Sequence, residues 1–243
     1  MTNSPIANVR HSLSLLFWRT FARFRFPGSQ NYWELRYSRG DNSGPGSYDQ
    51  FAEFKAEVLN RFIDKHGIQS VIEFGCGDGN QLSRATYPIY LGVDVSHAAV
   101  DLCRKRFAAD STRNFLHTSQ YAGQKADLAL SLDVIFHLVE DTIYFPYLDN
   151  LFGAATRYVV LYCSDLNRET AARRNAGGPP HVRHRCVTQD IAERYPAWTL
   201  AGHIPNRYPY NWDTGEGSFA DFFVYERAAD VSSPAFVLPM RST

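Results

Sequence analysis

The chain has 243 residues, 44% of them hydrophobic, with 25 basic and 25 acidic side chains and therefore a formal net charge of zero. That length and apolar content suit one well-filled domain, and the charge balance excludes a global pull toward nucleic acid. Four scattered cysteines, Cys76, Cys103, Cys163 and Cys186, lack paired metal spacing and fit a reducing cytoplasm rather than a disulfide framework.

In chain order, residues 10–26 come first and combine Leu13, Leu15, Leu16, Phe17, Trp18, Phe21, Phe24 and Phe26 with Arg10, Arg19, Arg23 and Arg25, which predicts an amphipathic basic helix. Arginines interrupt its apolar run and no small-residue cleavage site follows, so it reads neither as a signal peptide nor as a membrane span. Packing on its own domain or pairing with a second subunit is favoured over a membrane surface. Next, Tyr32-Trp33-Glu34-Leu35-Arg36-Tyr37 precedes a glycine-rich stretch, Gly44 to Tyr48, with the freedom of a lid. Phe51, Phe54, Val58, Leu59 and Phe62 recur at helical spacing over 49–66, and Gly67 supplies a stop. Strand one is expected at 70–74 and runs into Gly75-Cys76-Gly77-Asp78-Gly79, where alternating glycines let a ligand approach the backbone. A short helix from about Gln81 leads to strand two near Ile89 to Val93, closed by Asp94. Ser96 then caps a helix to about Phe107, and strand three lies near Asn114 to His117. Strand four is Asp127 to Ser131, followed by a helix near Ile143 to Phe152 and strand five from Tyr158 to Cys163. The alternation predicts an α/β fold with a parallel sheet and right-handed crossovers. Trp198 to Ile204 and Phe219 to Tyr225 break the rhythm as two strands without an intervening helix, hence a terminal antiparallel pair.

Which ligand the glycine turn serves is decided by its flanks. A dinucleotide fingerprint needs glycine at the sixth place, where this chain has Asn80, and Glu73 before the first glycine would repel a pyrophosphate. An acid two residues before Gly-x-Gly-x-Gly resembles motif I of the class I S-adenosylmethionine-dependent methyltransferases. Asp94 resembles that family's ribose-holding acid, and Leu128 to His137 its fourth strand and exit. The resemblance runs from Tyr32 to about Glu226. It implies a Rossmann-like, doubly wound, seven-stranded sheet, mostly parallel with a C-terminal antiparallel strand pair, over a domain of residues 31–228. Residues 1–30 then form the amphipathic extension and 229–243 a tail.

Carried over residue by residue, the resemblance places Glu73, Gly75, Gly77, Asp94, Ser96 and Leu132 at the cofactor, with Tyr32, Trp33 and Arg36 closing over it and Arg36 pairing with its carboxylate. Ser119 and Gln120, after strand three, are candidate partners for the adenine edge. Methyl transfer to oxygen needs alignment and removal of a proton from a hydroxyl, a task that suits histidine. His137 is the candidate base, with Asp133 orienting it or binding the cofactor's amino group. Asp133 and Asp165, on adjacent strand exits, are the candidate ligands for Mg2+. Some quinone-pathway members carry an acid just before the histidine where this chain has Phe136, which weakens that assignment. His181, Arg183 and His184 in one loop, and Arg207 and Tyr208 in another, read as acceptor walls, with His181 and His184 as rival bases. Zinc fits that loop poorly because Arg183 and Arg185 would repel it.

The string from Tyr32 through Gly79, the Pro-His-Val-Arg-His-Arg loop and Ser218 to Phe222 resemble bacterial saccharide O-methyltransferases, including the mycobacterial methylmannose polysaccharide type. That implies transfer to a sugar hydroxyl, with no nucleic acid partner. The alternatives are a methyltransferase for phenolic or other secondary metabolites, and a cofactor-binding fold without transfer activity.

Overall fold

One seven-stranded sheet carries the fold, with spatial order β3 (Arg113–His117), β2 (Ile89–Asp94), β1 (Ser70–Phe74), β4 (Ala126–Leu132), β5 (Ala155–Cys163), β7 (Asp221–Arg227) and β6 (Trp198–Ile204), so that β1 lies third, beside the central β4. The computed structural model describes residues 26–228, Trp212 excepted, so the predicted helix over 10–26 and the tail lie outside the described residues, Phe26 and the segment's end aside. β2, β3, β4 and β5 join β1 in parallel. β4 and the second half of β5 are almost wholly buried, as expected of strands covered by helices on both faces. Pairing to β1 on both sides, by β2 and by β4, creates the switch point at whose carboxyl edge ligands bind in such sheets.

Of the four connections between parallel strands β1 to β5, the second and fourth contain α-helices and the first and third carry only 3-10 turns. Helix α1, Ser29–Ser38, and helix α2, Asp49–His66, precede β1, and Gly67 ends α2 in the left-handed conformation at φ 58°. Helix α3, His97–Arg106, follows β2 and is capped by Ser96, whose Oγ accepts from Ala99 N at 3.2 Å. Helix α4, Asp141–Ala154, links β4 to β5. The expected strands and helices are found within a few residues of their predicted bounds. One expected helix is not, because the chain from Gln81 forms only a 3-10 turn, Leu82–Arg84, before Pro88 and the start of β2.

Between β5 and the last strands the chain builds two helices beyond those expected, α5 (Arg168–Gly177) and α6 (Val187–Arg194), the second burying Val187 and Ile191. α5 buries only Ala171, so it carries no apolar stripe, and its start is marked by Asn167, whose side chain accepts from Thr170 N. This helical connection lets β6, Trp198–Ile204, run with the parallel strands. The helix-free return lets β7, Asp221–Arg227, pair antiparallel to both β5 and β6. The C-terminal antiparallel pair is therefore present, with β7 inserted inside and β6 at the edge. Among the described residues no helix is long and apolar enough to cross a membrane.

Candidate active site

The glycine turn leaves β1 with Gly75, Gly77 and Gly79 at φ 85°, 56° and 73°, a backbone region that side chains other than glycine rarely enter. A Cβ at Gly75 would strike Val134, and one at Gly77 would strike Ser43 and Tyr37. Asp94 ends β2 beneath the turn and accepts from Gly77 N and Ser96 N, both at 2.9 Å. Burial raises its pKa against the pull of those backbone donors. Glu73 lies fully inside, takes a 2.8 Å hydrogen bond from the Tyr90 hydroxyl, and is pushed up to about 7 by burial.

Above the turn lies a cavity of about 270 Å³ at the carboxyl ends of β1, β2 and β4. Its roof is the N-terminal segment, with Trp33 and Tyr37 from α1 and Ser43 and Ser47 from the following loop. That loop is laced to the turn through Asp78, which accepts from Ser43 N at 2.9 Å and the Tyr48 hydroxyl at 2.8 Å. Its far end is tied down where Ser29 Oγ donates to Glu140 and accepts from Val139 N. The roof is therefore closed at both ends over the glycine turn.

The exit of β4 supplies Leu132, Asp133, Val134 and His137 to the same cavity. His137 Nδ1 meets the His181 carbonyl at 2.9 Å, which makes Nδ1 the protonated nitrogen of the neutral ring and leaves Nε2 as a lone-pair acceptor. Burial holds its pKa down to about 4, so the ring is neutral at physiological pH. The Trp33 ring meets it edge-on at 4.9 Å. Asp133, at φ 60°, takes part differently from expectation, because its carboxylate is paired at 2.5 Å with Lys55 Nζ, a fully buried lysine of α2, while the imidazole is oriented by the His181 carbonyl.

The residues present do not fit magnesium. Asp133 is neutralised by Lys55, and Asp165 accepts from Thr188 N at 3.1 Å and Thr188 Oγ1 at 2.6 Å instead of turning to Asp133. Among the described residues no group of three histidine, cysteine or acidic side chains could hold a metal. The Asp133 and Asp165 metal assignment is corrected accordingly. S-adenosylmethionine fits better: Gln81 Oε1 is buried in the cavity wall with no partner among the described residues, an acceptor suited to a ligand's ammonium.

Residues 72–157 match a family described as a methyltransferase domain. The N-methyltransferase NodS from Bradyrhizobium japonicum WM9, solved with S-adenosylhomocysteine, superimposes with a TM-score of 0.62 at 16% identity, covering 82% of this chain and 98% of that one. Magnesium protoporphyrin IX methyltransferase from Synechocystis PCC 6803, also with S-adenosylhomocysteine bound, gives 0.57 at 16% identity with the same coverage. The methyltransferase domain of bacterial CtHen1-C gives 0.55 at 18% identity over 72% of this chain and 97% of that one. This is the class I methyltransferase fold. No curated protein matches the sequence.

Within this methyltransferase fold the other sequence-predicted residues are placed unevenly. Trp33, Glu73, Gly75, Gly77, Asp94, Leu132, Asp133 and His137 all line the cavity. Ser96 sits behind it as a helix cap. Ser119 and Gln120 fold back onto His117 in their own turn, and their neighbours Thr118 and Tyr121 face the cavity instead. Arg36 donates to Asn42 O at 2.7 Å, lies over Trp33 and does not line the cavity, while Tyr32 stacks on His181 at 4.7 Å. The loop residues brace the scaffold. Arg183 donates to Val139 O and pairs with Asp141, and the buried His184 bonds Ser164 Oγ at 2.8 Å. Arg207 pairs with Glu57, and Tyr208 packs edge-on against Phe51 and Phe54. Residues that sequence reasoning missed include Lys55, Asp78, Gln81 and Thr118. Lys55 did leave a signal, a lone cation among the apolar positions of α2 four residues after Phe51 and before Leu59.

Proposed function

We propose that the chain transfers a methyl group from S-adenosylmethionine to a hydroxyl oxygen, and that the acceptor is a sugar or short oligosaccharide. The observation that carries this reading is the meeting, in one roofed cavity, of the glycine turn, the buried Asp94 and the neutral imidazole of His137. In this reading the turn takes the methionine half of the cofactor, Asp94 the ribose, and Val95, Thr118 and Tyr121 the adenine. Four unpaired cysteines, three of them buried, agree with a reducing cytoplasm as its place of work.

S-adenosylmethionine supplies a methyl group already activated on sulfur. The protein's tasks are then to align the acceptor, exclude water and take one proton. The acceptor's proton passes to His137 Nε2, while Nδ1–H stays on the His181 carbonyl and keeps the ring in register. A weak base suffices, because a hydroxyl becomes strongly acidic as its oxygen gains the methyl. Since the imidazole is protonated only below about 4, the rate should stay level across neutral pH and fall only as pH drops toward about 4. Initial rates measured across that range check this, and an acid limb at neutral pH in the wild type, absent from an active His137→Gln variant, would count against the buried environment described here.

The sugar reading draws on Trp33, Gln30 and Thr142, which line the same cavity and supply it with an aromatic ring, an amide and a hydroxyl. Ile143 and Pro146, apolar residues of the same lining, favour a second reading, a flat phenolic acceptor. Incubation with S-adenosylmethionine and a panel of mannose, glucose, rhamnose, oligosaccharides and simple phenols, read by mass spectrometry, decides between them. A methylated saccharide is the expected product, and a methylated phenol alone would replace the sugar assignment.

A further inference from the structure

Among the described residues, four carboxyl side chains and one amine line the cavity: Glu73, Asp78, Asp94, Asp133 and Lys55. A buried ammonium has three donors, and Lys55 directs one to Asp133 Oδ2 while its charge rests over the Tyr162 ring at 5.2 Å. Among the described residues the Lys55 ammonium makes no other hydrogen bond, although the side chain is wholly inside the protein. Asp133 uses only Oδ2 in this pair, leaving Oδ1 for a further donor. Gln81 completes the group. Its Nε2 donates to Ala52 O on α2 at 3.1 Å, which fixes the amide and leaves the buried Oε1 without a partner. Unspent donors on Lys55 thus face the same cavity as unspent acceptors on Asp133 and Gln81, the complement of an amino acid zwitterion.

We propose that Lys55, Asp133 and Gln81 form the subsite for the amino acid end of the cofactor, with Lys55 binding its carboxylate and Asp133 and Gln81 its ammonium. The proposal rests on the S-adenosylmethionine reading and moves the carboxylate partner to α2 from Arg36, whose guanidinium donates to Asn42 O and the Tyr32 hydroxyl and does not line the cavity. Retaining Asp133 beside Lys55 has a physical reason: an unpaired ammonium buried before the ligand arrives would be costly, and the carboxylate offsets that cost and aims the side chain.

The test compares binding of S-adenosylhomocysteine and its decarboxylated analogue by calorimetry, without any acceptor present. The wild type should prefer the intact ligand by about tenfold or more, the worth of one charge-assisted hydrogen bond. Lys55→Met should bind both ligands equally. Because that variant strands a buried carboxylate, which disfavours folding, Lys55→Met with Asp133→Asn serves as a second variant, and in it too the preference should vanish. Gln81→Leu should weaken the intact ligand while sparing a deaminated analogue. A preference that survives in both Lys55 variants, or a loss shared equally by the two ligands, overturns the proposal and leaves the cofactor reading standing. A wild type that binds no S-adenosylhomocysteine overturns both.

Discussion

His137→Ala should lower the rate of methyl transfer by about 10²- to 10⁴-fold, the usual worth of a positioned base, while affinity for S-adenosylhomocysteine stays within a few-fold of wild type. The separation follows from geometry. The imidazole faces the cavity from the β4 exit, whereas the groups proposed to hold the cofactor sit on the glycine turn, β2 and α2. Removing the ring also removes the edge contact with Trp33 and the bond to His181 O, so the roof helix loses one of its supports. His137→Gln is the better control, since its amide can still donate to the His181 carbonyl and fill much of the ring's volume. Both variants should show the loss in kcat, measured with saturating S-adenosylmethionine and the acceptor identified from the panel. If His137→Gln works at the wild-type rate while His181→Ala is inactive, the base lies on the loop instead. His184 is a poorer rival, because it is buried and its Nδ1 is engaged by Ser164 Oγ.

Asp94→Ala should weaken S-adenosylhomocysteine binding by about 100-fold or more, since hydrogen bonds to a charged group are each worth roughly 1.5–3 kcal/mol. It should also lower Tm. The carboxylate accepts from Gly77 N and Ser96 N inside the protein, and deleting it leaves both donors buried and unpaired at a cost of about 1–3 kcal/mol each. The two effects separate in Asp94→Asn, whose one remaining carbonyl oxygen can keep a single backbone partner. That variant should recover part of the stability and little of the affinity. Calorimetric titration and thermal unfolding of the three proteins check this. Wild-type affinity in Asp94→Ala would falsify the ribose assignment.

The glycine turn, Asp94 and the β4 exit were legible in the sequence because each is a local signal. Glycines at φ 85° and 56° are demanded by the backbone itself, and an acid at the end of an apolar run is visible in one short window. The helix caps were legible for the same reason, Ser96 and Gly67 both standing where the periodic pattern starts or stops. Helix α5 was not, since a helix that buries one alanine has no apolar period to betray it. Around the expected Ser119 and Gln120, the residues that line the cavity are Thr118 and Tyr121, one place to either side. Ser119 and Gln120 satisfy the backbone of their own turn, a local competition between side chain and main chain that composition does not reveal. The two loops rich in histidine, arginine and tyrosine carried chemistry-bearing residue types, yet most of them are spent on carbonyls, on Asp141 and Glu57, and on aromatic packing.

The sequence by itself determined the alternation of strands and helices, the glycine turn and the acid that closes β2, because these follow from backbone sterics and from periodicities a few residues long. Only the tertiary structure decided the partnerships inside the cavity. Asp133 meets Lys55 across 78 positions of chain, and His137 meets the His181 carbonyl across 44. Those pairings exist because the order of strands brings α2 and the loop after β5 to the same carboxyl edge of the sheet, and a buried charge or imidazole must take whatever partner that edge supplies.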